Sequence, residues 1–284
     1  DPCIQASTAG AVVIPAVLGG CPVTEIGYSA FKGCSAVTNV VISSAIKVVG
    51  NYAFSSCSSL VSATIPNGVV RIGQGVFECC TSLTTATLPP SIEILPSCIF
   101  QDCSNLVSVE LSAGLRRIEW SAFEGCAKLA DITIPETVVA IENFAFRNCQ
   151  LIQDKAMDGL VIVDNCLLNC SPSRKGELVL PDGLRVIAGG AFGDGWSGCS
   201  DLTSVVLPNT VVSIGESAFD FCKSVTNLNI PSSVREIGRG ALSSCKLPFE
   251  IVDGMRIWEG WLIDGNVWQE NVSTPTGLVG ITDE

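Results

Sequence analysis

The 284-residue chain reads as an α/β solenoid of 23-residue coils, and three observations carry that reading. Phe31, Phe54, Phe77, Phe100, Phe123 and Phe146 recur at intervals of 23 residues. Cys34, Cys57, Cys80, Cys103, Cys126 and Cys149 keep the same interval, and Cys199, Cys222 and Cys245 resume it after a slip. Apolar residues then stand at relative positions 0, 3 and 5 of each coil, as in Val37/Val40/Ile42, Leu60/Ala63/Ile65, Leu83/Ala86/Leu88, Leu106/Val109/Leu111 and Leu129/Ile132/Ile134. A unit this short cannot bury its own apolar side, so stacked neighbours must supply the core. The expected coil has one short strand, all strands forming one parallel sheet face, with short helical or 3₁₀ turns opposite.

Residues 1–24 read as a first coil with an N-terminal cap. Val12-Val13-Ile14-Pro15 matches the strand end of the repeat, but no Ala-Phe-x-x-Cys precedes it. A terminal unit should be atypical because its outer side meets water. Residues 25–150 hold the regular coils. Pro66, Pro89 and Pro135 follow the strands and end the ladder, having no N–H to donate. Ile26-Gly27 and Ile72-Gly73 turn the chain, and Ala-Phe-x-x-Cys makes the turn that sends its ring inward. A ring column at this period is core packing, not a cofactor box.

Residues 151–178 keep the count but lose the motif, with Asn169 at the ring position and Pro172 at the cysteine position. Within them, Asp158 to Leu168 reads as a hairpin-like interruption. The same text returns 95 residues later, from Asp253 to Ile263. Residues 179–250 resume the coils, with four residues inserted within Gly193–Gly198, and insertions in repeat arrays map to loops. Residues 251–284 hold the second interruption and, at Pro275–Ile281, the start of a further unit. That start matches Pro181–Ile187.

The net charge of −12 repels polyanions, so nucleic acid is not an expected partner. The uncharged run Ala6–Thr24 is broken by Gly10, Pro15, Gly19, Gly20 and Pro22, so membrane insertion is not expected. An opening at Asp1 without Met is what a mature chain shorn of its leader would show. Fifteen cysteines cannot all pair within one chain. The column cysteines are expected as buried thiols acting as small hydrophobes. Cys3 with Cys21, and Cys166 with Cys170, could each close a short disulfide loop. Asn169-Cys170-Ser171 and Asn271-Val272-Ser273 are glycosylation sequons that fit a secretory route.

Catalytic chemistry finds little to work with. The chain has no histidine, which removes histidine-based nucleophile systems, histidine acid/base work and most zinc ligation. No Cys-x-x-Cys occurs either. Neither cofactor nor metal is expected. Glu110 and Asp131, on neighbouring strands, read as solvated surface rather than a glycosidase pair, which needs a walled cleft. The candidate contact residues are Thr64, Thr87, Glu110, Asp131 and Thr133 on the strand face and Trp196 in the insertion. Trp258, Trp261 and Trp268 fall in the second interruption, where aromatic side chains would suit either ligand contact or covering of the solenoid end.

The run from Ile118-Glu119-Trp120-Ser121-Ala122-Phe123-Glu124-Gly125-Cys126 through Leu129, Ile132 and Ile134-Pro135 resembles the BspA-like leucine-rich repeats. Ser43 and Ser112 in the proline column and Leu242 in the ring column depart from that pattern. The resemblance implies a curved, right-handed solenoid on secreted or surface-anchored proteins of bacteria and some protists, serving as adhesins or binding scaffolds. It implies no enzyme and carries no catalytic residues. The expected function is therefore non-catalytic binding of a protein or glycan at the cell surface or outside the cell. The alternative is a structural subunit that self-associates into a filament or larger complex.

Overall fold

The computed structural model describes residues 9–154, 156–193, 195–252, 255–258 and 261–265. Cys3, Trp268, the Asn271 sequon and Pro275–Ile281 lie outside them. Two compact units are present: Asp1–Val138 with Phe144–Lys155, and Val139–Asn143 with Ala156–Glu284.

The first unit is a parallel-sheet solenoid. The strands Ala9–Ile14, Ala36–Ile42, Ser62–Thr64, Thr85–Thr87 and Ser108–Glu110 stack in that order, with Ala63 opposite Ala86 and Ala86 opposite Val109. Those central residues are buried while their neighbours on either side are exposed, which is the period-two alternation of a strand with one face on the core. Each coil also contributes a second, two-residue strand that the repeat pattern read only as a turn. Glu25–Ile26, Val48–Val49 and Arg71–Ile72 form one such parallel ladder, and Ile94–Leu95 pairs with Arg117–Ile118 in another.

Between these ladders the predicted ring column is in place. Phe31, Phe54, Phe77, Phe100, Phe123 and Phe146 stack with centroids 5.0, 5.8, 5.8, 5.5 and 5.2 Å apart. Beside it, the column cysteines are buried free thiols. Cys57, Cys80, Cys103, Cys126 and Cys149 each donate Sγ–H to the carbonyl of the phenylalanine one coil back, at 3.0–3.2 Å. The weak donor thus finds an acceptor without opening the apolar core.

Of the expected short helical or 3₁₀ turns opposite the sheet, the chain forms the 3₁₀-type, as single turns. Single i→i+3 bonds form, such as Lys32 N–H to Ser29 O and Cys34 N–H to Phe31 O, but none propagates. Left-handed backbone two residues before and two after each ring stops it: Ser29 and Gly33, Tyr52 and Ser56, Gly75 and Cys79, Cys98 and Asp102. In exchange, alternate N–H groups point along the stack. Ser29, Phe31 and Gly33 donate to the carbonyls of Asn51, Ala53 and Ser55 at 2.9, 2.7 and 2.8 Å. Coil-to-coil hydrogen bonds thereby offset the strain of a left-handed side-chain-bearing residue, about 1–2 kcal/mol. Among the described residues the only α-helix is Gln150–Asp154.

The second unit is built from the same coils around a hairpin. Ala156–Met157, Leu160–Val163 and Cys166–Cys170 form an antiparallel meander. Its last strand continues in parallel into Val186–Ile187, Ser213–Ile214 and Glu236–Ile237. Lys175–Val179, Asp201–Val206 and Asn227–Leu228 make a second parallel ladder. Phe192 and Phe219 stack at 4.3 Å, and Leu242 is buried at the next ring position. The recurrence 95 residues on is structural as well: Met255–Trp258 and Trp261–Gly265 pair in the register of Leu160–Val163 and Cys166–Cys170, with the bulge at the same place.

The Cys166–Cys170 loop is corrected by this meander. The two residues occupy opposite ends of one extended strand, about 13 Å apart at ~3.3 Å per residue, beyond the reach of a disulfide. Cys21 is exposed and its suggested partner Cys3 is not among the described residues.

Candidate functional site

The first unit presents two open faces. On the strand face the register brings Thr64, Thr87 and Glu110 into one row across neighbouring strands, all exposed. Val13 and Val41 are paired and exposed on the first two strands, so the face grades from apolar toward acidic along the stack. Asp131 and Thr133 are exposed in the next coil, on a segment without strand pairing. Not every hydroxyl on this face is available to a ligand: Thr84 Oγ1 donates to the carbonyl of Val61 at 3.1 Å, fastening one coil to the next. Trp196 belongs to the second unit, where it is 80% exposed within the Gly193–Gly198 insertion, and Gly193 bridges Gly198.

The other face of the first unit holds features the sequence reading did not single out. The two-residue strands shape a shallow groove of about 810 Å³ lined by Glu25, Tyr28, Asn51, Arg71, Gln74 and Glu93, with Val48, Val70 and Ile94 between them. Three of its side chains, Tyr28, Asn51 and Gln74, are engaged before any ligand arrives. Gln74 Nε2 donates to the Tyr52 hydroxyl at 2.7 Å, and the Gln74 N–H donates to Asn51 Oδ1 at 3.2 Å. Tyr28 meets the Tyr52 ring edge-on at 6.2 Å, and the Lys32 ammonium lies 5.1 Å above the same ring. Gly73 makes the arrangement possible, since a Cβ there would stand 2.3 Å from Asn51 Oδ1. Glu119 is committed inward, accepting the Ser97 N–H and hydroxyl at 2.9 Å each. The exposed large groups of the groove are Tyr28, Val70 and Ile94, at 71%, 79% and 49%.

A sequence signal for this groove existed. Two residues after Ile26, Val49, Ile72, Leu95 and Ile118, four of them buried and Ile72 half-buried, stand Tyr28, Asn51, Gln74, Ser97 and Trp120, a column of aromatic and hydrogen-bonding side chains. Such groups contribute contact area and directed hydrogen bonds at little entropic cost, as binding surfaces do. Nothing in the groove resembles an activated nucleophile. Burial instead pushes the core thiols up, Cys57 to about 12 and Cys98 to about 11, so they stay protonated and inert. Among the described residues no group of three His, Cys, Asp or Glu could hold a metal ion. Among them, too, no helix is long and apolar enough to cross a membrane.

Against known families, the profile described as BspA type Leucine rich repeat region matches six copies over residues 24–153 and 194–251. A leucine rich cell surface protein from Faecalibacterium prausnitzii is 25% identical, with 80% of this chain and 77% of that one aligned and a TM-score of 0.44. A leucine-rich repeat protein from Bacteroides ovatus is also 25% identical, over 83% of this chain and 85% of that one, with a TM-score of 0.37. A search of the curated proteins found no match.

Proposed function

The chain belongs to the BspA-type leucine-rich repeat family, and from that premise we propose that it is a non-catalytic binding protein, secreted or displayed on a cell surface. It takes a protein or glycan ligand through the open faces of its first unit. The observation that carries this reading is the preorganised groove. Arg71 lies on one of the short in-register strands and Tyr28, Asn51 and Gln74 closely follow them, the last three already engaged by ring contact or hydrogen bond, so part of the side-chain order needed for binding is in place beforehand. Tyrosine and arginine are also the residues in which contact energy concentrates. The row Thr64, Thr87, Glu110, with Asp131 and Thr133 beyond it, is the second contact surface in this proposal, and Trp196 a separate one on the second unit.

The test is binding of the full chain to immobilised glycans and purified extracellular-matrix proteins, repeated with Tyr28→Ala/Arg71→Ala and with Thr64→Ala/Thr87→Ala. Loss of about thirtyfold or more in affinity for the groove variant, a hot-spot effect of ~2 kcal/mol, supports the assignment. A ligand whose affinity neither variant alters would refute it.

One observation favours self-association as a second reading. The Ala9–Ile14 strand stands at the edge of its sheet with Val13 66% exposed, and an open edge can pair with another chain. End-to-end polymers in size-exclusion chromatography with light scattering, removed by Val13→Lys, would establish that role. A monomer at all concentrations would exclude it.

A further inference from the structure

The thiol column has one irregular member. In the first unit every column thiol from Cys57 to Cys149 is occupied by the ring carbonyl one coil back. In the second unit Asn169 replaces the ring, and Cys199 meets different company. Its Sγ lies 3.3 Å from the Ser171 carbonyl and 3.4 Å from the Sγ of Cys170. Both thiols are buried. Both are also anchored to one turn: the Cys170 N–H donates to the Ala191 carbonyl at 2.7 Å and the Cys199 N–H to the Phe192 carbonyl at 2.9 Å.

From this geometry we propose that Cys170 and Cys199 are a disulfide-forming pair, joined when the chain folds in an oxidising compartment. The sulfurs need to close by only about 1.4 Å to reach bonding distance. The regular column thiols from Cys57 to Cys149 each point to the ring carbonyl one coil back.

The oxidant is a disulfide-bearing molecule such as oxidised glutathione, met before the coil closes. The Cys199 thiolate attacks one sulfur of the oxidant and bonds to it as a mixed disulfide, while the oxidant's other sulfur leaves as a thiolate and takes up the proton Cys199 gave up. The Cys170 sulfur then displaces the second oxidant thiolate, to which its proton passes. The protein loses two hydrogens, and one disulfide becomes two thiols.

The bond would fasten the last strand of the hairpin to the coil beyond the Gly193–Gly198 insertion, at the place where the ring column is interrupted. The experiment is a disulfide map of the full chain folded in mixed reduced and oxidised glutathione, trapped with N-ethylmaleimide and digested without reductant. Trypsin and chymotrypsin together separate Cys170 from Cys166 at Leu168, and Cys199 from Cys222 at Phe219. A Cys170–Cys199 cross-linked peptide that dithiothreitol releases is the expected result. Reduced protein and Cys199→Ser should then be nicked in the 193–198 insertion about tenfold faster, since cleavage there reads the open population. Recovery of both residues as N-ethylmaleimide adducts from folded protein, or of Cys170 bridged to another cysteine, overturns the proposal. Should Cys199→Ser fail to fold, the peptide map of the unaltered chain decides alone.

Discussion

Phe77→Ala probes the stacked core most directly. The ring is 1% exposed and lies between Phe54 and Phe100, both at 5.8 Å and inclined by 12° and 7°. Truncating a buried phenylalanine costs about 3–5 kcal/mol, the ring's transfer energy plus the hole it leaves. Phe31→Ala should cost less. That ring has a single described ring neighbour, Phe54 at 5.0 Å, and one lost stacking contact is worth ~0.5–1.5 kcal/mol. In a repeat array stability is a sum over coils and their interfaces, and the Phe77 hole breaks ring stacking at two interfaces whereas the Phe31 hole breaks one described ring contact. Urea unfolding followed by far-ultraviolet circular dichroism measures both. With a slope of ~2 kcal/mol per molar, Phe77→Ala should lower the midpoint by about 2 M and Phe31→Ala by roughly 0.5 M less. Equal shifts, or a Phe77→Ala shift under ~0.5 M, would show that the ring column is not what couples the coils.

Three further outcomes follow from the same geometry. Gly73→Ala should destabilise by about 1–3 kcal/mol, because its Cβ would lie 2.5 Å from the Asn51 backbone nitrogen, whereas Gly27→Ala, with nothing within 4 Å, should be nearly neutral. A thermal melt of the pair distinguishes steric stacking from backbone freedom, since neither glycine has positive φ. In reductant, stability should fall as pH rises from 9 toward 12. The folded thiols of Cys57, Cys166 and Cys245 are held at about 12 against 9.0 when free, so the unfolded chain releases its protons first. Each such thiol removes ~1.4 kcal/mol per pH unit in that window and nothing below it, and unchanged urea midpoints at pH 8 and pH 10 would contradict the burial. Iodoacetamide on the native reduced chain should modify exposed Cys21 first and half-buried Cys79 next. The buried column should react only after denaturation, as peptide mapping would show.

What was legible in the sequence was whatever side-chain identity repeats. Rings and thiols every 23 residues fixed the coil, and the returning text at Asp253 fixed the second hairpin before its pairing was seen. The left-handed turns were not legible, because Ser29, Tyr52, Cys98, Ser121 and Phe144 share one conformation without sharing chemistry. Their φ values are imposed by the stack, a tertiary demand that overrides residue preference. The two-residue strands were too short to carry an alternating pattern, so the groove they frame went unseen while the strand face was read correctly as exposed. Cysteine pairing failed for a related reason. Cys166 and Cys170 are close in sequence but opposed along a strand, whereas Cys170 and Cys199 are distant in sequence and adjacent in space.

The two meanders in the second unit share register and bulge across 95 residues, and in each an Asp-Gly pair stands in the sequence between the first two strands. Such matched junctions behave like identical splice points. Removing Asp158–Val252 would join one junction to the other and leave a single meander whose local pairing is unchanged. The coils between them are in that sense a cassette, so chains of this design can lengthen or shorten by whole blocks through recombination without any new strand contact having to be invented.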